Sequence, residues 1–469
     1  MVWFARRPAA GNAYAVTVAE TDGDLMTLPK TPAPARAHRT LFGLPMLYWG
    51  LWLAILILWM GRFVTSFLSI YLVSDLHIDE GVVGTVVSMY GFGAIIGCLF
   101  GGALSDRFGR QPMIVIGELG AAAALLVVAM LADPVALGVA LFAYGAVASL
   151  PSPAIAAYIA DVVPGPSRQR AYTLQSWAIN FGYAIGPIIA NQLVKVSYSL
   201  MFYVEAAVLV GVTVLLVVFF REVRHLGLLP AGGIAGGDGA VRGASAGSGG
   251  DAAAAIRADA PSERVSMLRN YRRVLSDVPF LAFVVLMFGY FIAYFQSTSS
   301  LPIAMTNLGM GTDEYSVLLS INGGMLCLLQ IPMMKLFKRM GNSRVLVYGL
   351  LVTTIGYALQ IVAGSWGGFA LATVLWTLGE LGTFPIATTA VAAMAPAEAR
   401  GTYQGIYNVL QSLSIALAPL VGGWIISHAG GRALWIICTV VLALVTVGLA
   451  ATRASRDRES ARSLHAIEV

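Results

Sequence analysis

Long apolar runs, each of a length that can cross a lipid bilayer, dominate this sequence. A membrane-spanning helix needs about 20 largely apolar residues, and twelve such runs occur, six on each side of one long polar segment. They lie near residues 48–73, 82–104, 112–132, 135–160, 171–194, 200–220, 279–302, 314–337, 344–364, 367–393, 402–427 and 432–452. The pattern predicts an all-α membrane protein with twelve transmembrane helices.

Composition excludes several other classes of protein. Hydrophobic residues make up 58% of the chain and charged residues only 11%, whereas soluble domains carry roughly 25% charged residues. Cys98, Cys327 and Cys438 each lie inside an apolar run, where cysteine behaves as a small buried hydrophobe. We therefore expect no disulfide framework, metal site or cofactor.

The positive charges follow membrane topology. If the N-terminus is cytoplasmic, all but three of the 29 Lys and Arg residues fall on the cytoplasmic side; Lys195 and Arg432 lie outside, and Arg62 lies within the first span. This asymmetry obeys the positive-inside rule and predicts that both termini are cytoplasmic. The basic residues do not gather on one face as nucleic-acid binding requires, so no nucleic-acid partner is expected.

The polar segments complete the predicted domain organisation. Residues 1–45 read as a disordered cytoplasmic leader, 46–221 as the first six-helix half, 278–452 as the second half and 453–469 as a cytoplasmic tail. The linker 222–277 is rich in glycine, alanine and serine, which favours flexibility. Near its end, apolar residues recur at helical spacing among arginines and indicate a short interfacial helix; they are Val265, Leu268, Tyr271 and Leu275.

The two halves repeat each other at a constant, ungapped offset of 232 residues. The matched pairs are Pro153 and Pro385, Pro164 and Pro396, Arg168 and Arg400, Pro187 and Pro419, Arg107 and Arg339, Gly109 and Gly341, and Gly117 and Gly349. Two parallel six-helix halves joined by a central loop are typical of major facilitator proteins, which bind substrate near the midplane between the halves.

The loop after the second span reads GALSDRFGR from Gly102 to Arg110, and by this signature loop the chain resembles the major facilitator superfamily. Gly102 and Gly109 permit close helix contact and a tight turn. The resemblance implies that Asp106 faces the start of the eleventh helix and that Arg110 pairs with Asp161. It also implies that these residues, together with Arg107, form a latch that breaks when the protein switches between its outward-open and inward-open states. In a simpler interpretation, these residues only keep the loop on the cytoplasmic side of the membrane.

The fifth span carries a second motif, GYAIGP at residues 182–187. It is similar to a pattern of drug:proton antiporters, with Gly182 and Gly186 on one packing face and Pro187 bending the helix. A glycine-proline kink is also ordinary in membrane helices. Such antiporters carry an arginine in the fourth span, where this chain offers Tyr144 instead, so proton coupling would be arranged differently.

Three ionisable residues stand within apolar runs, where a charge costs about 2.5 to 3.5 kcal/mol and is a functional candidate. The superfamily resemblance places the first and tenth helices at the central cavity, so Arg62 and Glu380 are expected to face it. We expect Glu380 to be the proton-binding site and Arg62 to modulate it or to contact substrate; a static ion pair or a backbone-bonded carboxylate is the alternative. For Glu118, packing or contact with the signature loop is expected.

Polar and aromatic residues at similar depths suit a roomy site for an amphipathic ligand, through stacking or cation–π contacts. The cavity candidates are Tyr144, Tyr290, Tyr294, Gln296, Asn322 and Trp376. Each could instead serve in packing between helices. The 232-residue offset places Tyr294 opposite Arg62.

These patterns predict a secondary transporter of the bacterial cytoplasmic membrane, resembling the multidrug-efflux branch and exporting lipophilic small molecules in exchange for protons. A nucleotide-binding loop of the form GxxxxGK[ST] is absent from the sequence, and no catalytic residue set suggests an enzyme. The expected partners are a small-molecule substrate, protons and the bilayer, with no obligate protein partner. Two alternatives remain: a proton symporter that imports a metabolite, and a non-transporting receptor with the same fold.

Overall fold

A computed structural model describes residues 40–225, 272–337, 339–396 and 399–453. Most of the predicted leader, linker and tail lies outside these residues, as does most of the predicted interfacial helix. Residues 40–45, which the sequence assigned to the leader, form a small antiparallel hairpin with Thr40 opposite Pro45. Its turn places Phe42 and Gly43 at positive φ.

Helices make up nearly all of the described chain. The hairpin strands are β1 (Thr40–Leu41) and β2 (Leu44–Pro45). The first half contains α1 (Met46–Gly61), α2 (Val64–Ser74), α3 (Glu80–Phe108), α4 (Arg110–Val128), α5 (Pro134–Ser149), α6 (Pro151–Val162), α7 (Gly165–Val194) and α8 (Tyr198–His225). The second contains α9 (Val278–Tyr294), α10 (Gln296–Ser299), α11 (Leu301–Thr306), α12 (Thr312–Phe337), α13 (Asn342–Gln360), α14 (Trp366–Met394) and α15 (Arg400–Ala451).

All twelve predicted spans fall on helices, which confirms the predicted all-α fold. Within the described residues, nine helical stretches are long and apolar enough to cross a membrane. One of them, α15, contains the last two predicted spans, separated at Gly430 where φ is +79°. The remaining two spans are α7 and α13, whose mean hydropathy is lowered by polar side chains, so length and apolarity alone do not identify them.

Several of these spans are interrupted rather than continuous. The first span divides into α1 and α2 around Arg62, whose φ and ψ of −93° and 79° are not helical. The fourth divides into α5 and α6 before Pro151, which has no backbone N–H to continue a helix. The seventh divides into α9, α10 and α11. These breaks free backbone groups and bring side chains into the interior.

The two halves meet along two principal pairs of helices, α3 with α15 and α7 with α12. Small residues permit the close approach: a side chain at Gly84 of α3 would collide with the backbone of α15 at Pro419 and Gly423. Likewise, a Cβ at Gly323 of α12 would lie 2.5 Å from the backbone nitrogen of Ala184 in α7. Small-residue contacts of this kind are typical of helix packing in membranes.

Candidate functional site

A cavity of about 320 Å³ lies between the two halves. Its walls come from α1, α2, α3 and α7 of the first half and from α9, α10, α12, α14 and α15 of the second. A second cavity, of about 480 Å³, is lined by the second half alone, including Gln360, Arg432 and Trp435. Only a site that both halves share changes its exposure when the halves move, so the smaller cavity is the candidate functional site.

The second-half wall of the cavity is built around the carboxylate of Glu380 on α14. The phenol of Tyr294 donates a hydrogen bond to Oε1 at 2.7 Å, and the amide of Asn322 donates to Oε2 at 3.0 Å. The same amide also donates to Thr377 at 3.0 Å. Glu380 lines the cavity and is only 8% exposed.

Aromatic rings surround this carboxylate. The ring of Tyr294 meets Trp376 edge-on at 5.9 Å and Phe384 at 5.1 Å between centroids. Trp376 lines the cavity, and its indole Nε1 is buried with no hydrogen-bond partner among the described residues. This wall therefore offers apolar ring faces to a ligand.

The first-half wall carries the opposite charge. Arg62, at the break between α1 and α2, lines the cavity, and its guanidinium lies 5.9 Å from the ring centroid of Trp59. The acidic side chain within ion-pair distance of its guanidinium is Glu118 of α4, at 3.6 Å, rather than Glu380. For Glu118 the sequence predicts packing or contact with the signature loop; the structure shows it buried and beside Arg62, which the break in the first span turns toward α4.

A further buried acid, Glu205, was not predicted from the sequence. Glu205 of α8 is fully buried, and its Oε2 accepts hydrogen bonds from the backbone N–H groups of Phe63 and Val64 at 2.9 and 2.7 Å. Its Oε1 accepts from the hydroxyl of Tyr144 at 2.9 Å. Glu205 stands near the start of the predicted span 200–220, and the rule that singled out Arg62 would also have found it there.

The predicted cavity candidates divide into two groups. Tyr294, Asn322 and Trp376 line the cavity. The structure places the others behind its surface: Tyr144 is bonded to Glu205, and Tyr290 is buried with its ring stacked on Tyr294 at 5.8 Å. Gln296 donates instead to the Ala418 carbonyl at 2.9 Å. Further lining residues that the sequence did not indicate are Trp59, Tyr90, Asn180 and Tyr183.

The signature loop forms a compact cluster within the first half. Arg110 reaches Asp106 at 2.6 Å and Asp161 at 3.5 Å, so the pair with Asp161 implied by the resemblance is present. Gly109 has φ of +98°, where glycine is favoured. Arg107 is exposed, with its guanidinium 5.4 Å from the ring centroid of Phe108. Gly102 has open space where a side chain would stand.

The fifth-span motif packs α7 against α1. A Cβ at Gly182 would lie 2.5 Å from Trp59 Cβ, and one at Gly186 would lie 3.0 Å from the Met60 carbonyl oxygen. Pro187 lies inside α7. The motif therefore holds the helix segment that immediately precedes Arg62.

Polar contacts tie the halves together at the end of the molecule where α12 begins. Asp313 pairs with Lys195 at 2.6 Å and accepts from Asn191 at 2.6 Å. Nearby, Asn307 donates to Glu80 at 2.6 Å. Glu80 begins α3 and Asp106 lies near the end of the same helix, so this polar clasp and the signature loop occupy opposite ends of the molecule.

Metal binding finds no support in the described part of the chain, where no group of three or more His, Cys, Asp or Glu residues is placed to hold an ion. The chemistry available in the cavity is a guanidinium on one wall, a hydrogen-bonded carboxylate on the other, two amides and several aromatic faces. These groups have the chemistry to contact a ligand and, at the carboxylate, to take up and release a proton.

Solved structures similar to this one are transporters. A peptide transporter of the POT family aligns over 90% of this chain and 97% of its own, with a TM-score of 0.72 at 17% identity. A D-xylose–proton symporter aligns over 86% of this chain and 97% of its own, with a TM-score of 0.62 at 17% identity. At such low identity these likenesses establish the fold alone.

Sequence comparisons identify the family. The MFS-type transporter YttB of Bacillus subtilis is 26% identical over 84% of this chain and 93% of its own length. The multidrug resistance protein MdtH of Yersinia enterocolitica is 25% identical over 75% of this chain and 80% of its own. The model of the Major Facilitator Superfamily matches residues 51–311 and 286–466. Together with the helical fold and the cavity shared by two halves, this match shows that the chain is a multi-pass membrane transporter of the Major Facilitator Superfamily.

Proposed function

We propose that the protein exports lipophilic small molecules in exchange for protons, by alternating access of the cavity between its halves. The observation that carries the proposal is Glu380, a buried carboxylate on the cavity wall that is hydrogen-bonded to Tyr294 and Asn322. A carboxylate in this position can bind a proton or a cationic ligand. An ionised carboxylate with neither would be unfavourable in an apolar site. Competition between the two ligands would couple their movements.

The rings around Glu380 support a lipophilic substrate. Tyr294, Trp376 and Trp59 line the same cavity, and such rings bind flat apolar molecules by stacking and cations through their faces. The similarity to MdtH, a multidrug resistance protein, agrees with this proposal. We place the protein in the bacterial cytoplasmic membrane with both termini cytoplasmic, because of the distribution of its basic residues.

A second candidate is a proton symporter that imports a small polar metabolite. Its specific support is the presence of Arg62, Asn180, Asn322 and Glu380 around one cavity, since a polar solute needs such partners for its own charges and hydrogen bonds. The similar folds of peptide and xylose–proton transporters are consistent with this candidate. The direction in which a proton gradient drives solute distinguishes the two.

The proposed function is tested with the purified full-length chain reconstituted into proteoliposomes. A pH gradient is imposed across the membrane, and ethidium serves as a lipophilic cationic probe. The wild type should move ethidium against its gradient toward the acidic side. Glu380→Gln should lower this transport by at least about tenfold, the factor that 1.4 kcal/mol represents. Glu222→Gln is the matched control, because Glu222 is an exposed acid at the end of α8.

Two results would contradict the proposal. Ethidium that moves only down its own gradient in the wild type would exclude proton-driven export of this probe. A Glu380→Gln variant that transports as well as Glu222→Gln would exclude Glu380 as the coupling residue. Accumulation of a polar solute together with protons would support the symporter instead.

A further inference from the structure

The interior of the first half contains an ionic cluster separate from Glu380. Its charged members are Arg62, Glu118 and Glu205, which come from the α1–α2 break, α4 and α8. Glu118 is 2% exposed and Glu205 is 0% exposed. Two carboxyl groups therefore share one guanidinium in the low-dielectric core of the helix bundle.

Glu205 has the surroundings of an ionised carboxylate. Three donors reach it: the backbone N–H groups of Phe63 and Val64 and the hydroxyl of Tyr144. The two N–H groups belong to the start of α2, where the helix dipole also favours a negative charge. Several hydrogen bonds to a carboxylate stabilise its charged form, so Glu205 supplies the negative charge that balances Arg62.

Glu118 has the surroundings of a neutral acid. Its Oε2 is buried, and among the residues that the structure describes it has no hydrogen-bond partner. Its contact with Arg62 Nη2 is 3.6 Å long, beyond the range of a charge-assisted hydrogen bond. A second carboxylate left charged and without donors in such a place would be strongly unfavourable.

The other ionisable groups around Glu118 do not supply the missing positive charge. Tyr90 of α3 is a phenol near Arg62 and the two acids, and Tyr144 of α5 is a phenol bonded to Glu205. On α6, which also packs against α4, the ionisable residues are Tyr158 and Asp161, and Asp161 pairs with Arg110. The cluster thus has one basic group, Arg62, and two acids, Glu118 and Glu205, so one carboxyl group is in excess.

From this charge imbalance and these contacts, we infer that Glu118 is a second proton-binding site, in the first half, which holds a proton in the conformation described. The binding reaction is the addition of one proton to the Glu118 carboxylate. Its counterpart is a change at Arg62, whose Nε and Nη2 are buried without hydrogen-bond partners among the described residues. With Glu118 neutral, Glu205 alone balances the charge of Arg62, which lines the cavity; with Glu118 ionised, Arg62 is drawn toward α4.

This second proton site places a proton-dependent cation on the wall opposite Glu380. A proton on Glu118 strengthens the attraction of the first-half wall for electron-rich parts of a ligand, and loss of that proton weakens it. The inference depends on the cluster behind Arg62 and not on the role of Glu380. The two proposals can therefore fail separately.

The test is infrared spectroscopy of the purified full-length protein in an ester-free maltoside detergent, where the C=O stretching band of a protonated carboxyl group can be resolved. At neutral pH, the wild-type-minus-Glu118→Gln difference spectrum should contain one protonated carboxyl band. The same difference for Glu222→Gln, an exposed acid, should contain none. An unchanged carboxyl band in Glu118→Gln would overturn the inference.

A second variant guards against loss of folding. Glu118→Asp keeps a carboxyl group behind Arg62, so it should retain a protonated carboxyl band at a shifted frequency. Loss of the band in Glu205→Gln, with the band kept in Glu118→Gln, would place the proton on Glu205 and contradict the assignment. If only Glu380→Gln removed a protonated carboxyl band, this inference would be overturned and the proposed function would stand.

Discussion

At the scale of single residues, the distinctive feature of the cavity is a carboxylate whose hydrogen-bond donors are neutral. Glu380 accepts from a phenol and an amide, Tyr294 and Asn322, while the guanidinium of Arg62 pairs with Glu118. Neutral donors position the carboxylate without neutralising it. A proton or a cationic ligand can then take the role of counter-ion.

We predict that Tyr294→Phe lowers proton-driven ethidium transport by about tenfold. The change removes the donor to Glu380 Oε1, and a hydrogen bond to a charged group contributes about 1.5 to 3 kcal/mol. Initial rates in proteoliposomes measure the effect. Tyr290→Phe is the matched control, because Tyr290 stacks on Tyr294 but lies behind the cavity surface; equal rates for the two variants would show that the bond to Glu380 is unimportant.

Single residues also show what the sequence could predict. Arg62 and Glu380 were identified because each is a lone charge in an apolar run, and their burial has a cost at any position in the fold. The pairing of Arg62 with Glu118 depends on the backbone at the break, where φ and ψ leave the helical region. No periodicity in the sequence encodes that turn, so the partner could not be predicted.

At the scale of helices, the break between α1 and α2 is held by a side chain from α8. The start of α2 has free N–H groups, as every helix start does, and Glu205 accepts hydrogen bonds from two of them. The apolar run 48–73 predicts one continuous helix, because apolar residues continue through the break. The stabilising group lies more than 140 residues away.

We predict that Glu205→Ala lowers the thermal stability of the protein. It leaves the N–H groups of Phe63 and Val64 and the Tyr144 hydroxyl without their acceptor, at about 1 to 3 kcal/mol for each unsatisfied group. The midpoint of thermal unfolding in detergent, followed by intrinsic fluorescence, should fall by several degrees relative to Glu222→Ala. Equal midpoints would mean that the capping bonds do not hold the break.

Packing of α7 on α1 gives a second prediction for a helix. Gly182→Ala places a Cβ 2.5 Å from Trp59 Cβ and 2.6 Å from its carbonyl carbon, so the two helices must separate. We expect a lower yield of monodisperse protein and reduced transport. Gly211→Ala on α8 has open space around it and should be neutral or slightly stabilising, since alanine favours helix over glycine by about 1 kcal/mol. Similar behaviour of the two variants would contradict the packing role of Gly182.

At the scale of the whole molecule, the halves are joined by polar contacts at the α12 start. Lys195, Asn191 and Asp313 form one set and Asn307 with Glu80 another. Lys195 and Asp313 are exposed, so their ion pair contributes little to stability on its own. Because they cross between the halves, these contacts should favour the conformation in which this end of the cavity is closed.

We predict that Asp313→Asn shifts the molecule toward a form opened at the α12 start, because it weakens the contact with Lys195. Spin labels on Val196 and Leu308, both exposed at this end, report the separation of the halves in a variant lacking Cys98, Cys327 and Cys438. Longer distances should become more populated in Asp313→Asn than in Glu314→Gln. An unchanged distance distribution would show that the clasp has no effect on opening.

Much of the whole-molecule architecture could be predicted, because the 232-residue repeat and the apolar runs carry it directly. Hydropathy was a weaker guide for α7, which lies at the junction of the halves and bears polar residues such as Asn180, bonded to Gln330 at 3.3 Å, and Asn191. A helix that faces a cavity and a second half need not be apolar all round. The local contacts of the site, in contrast, depend on breaks and packing that the repeat does not reveal.

The most direct test of the proposed coupling compares two transport modes in the same proteoliposomes. Counterflow of ethidium requires ethidium binding and movement of the halves, but no net proton transfer. Accumulation driven by a pH gradient requires proton transfer as well. Glu380→Gln should retain counterflow and lose gradient-driven accumulation, while Glu222→Gln should retain both. Gradient-driven accumulation by Glu380→Gln at the wild-type level would contradict the account.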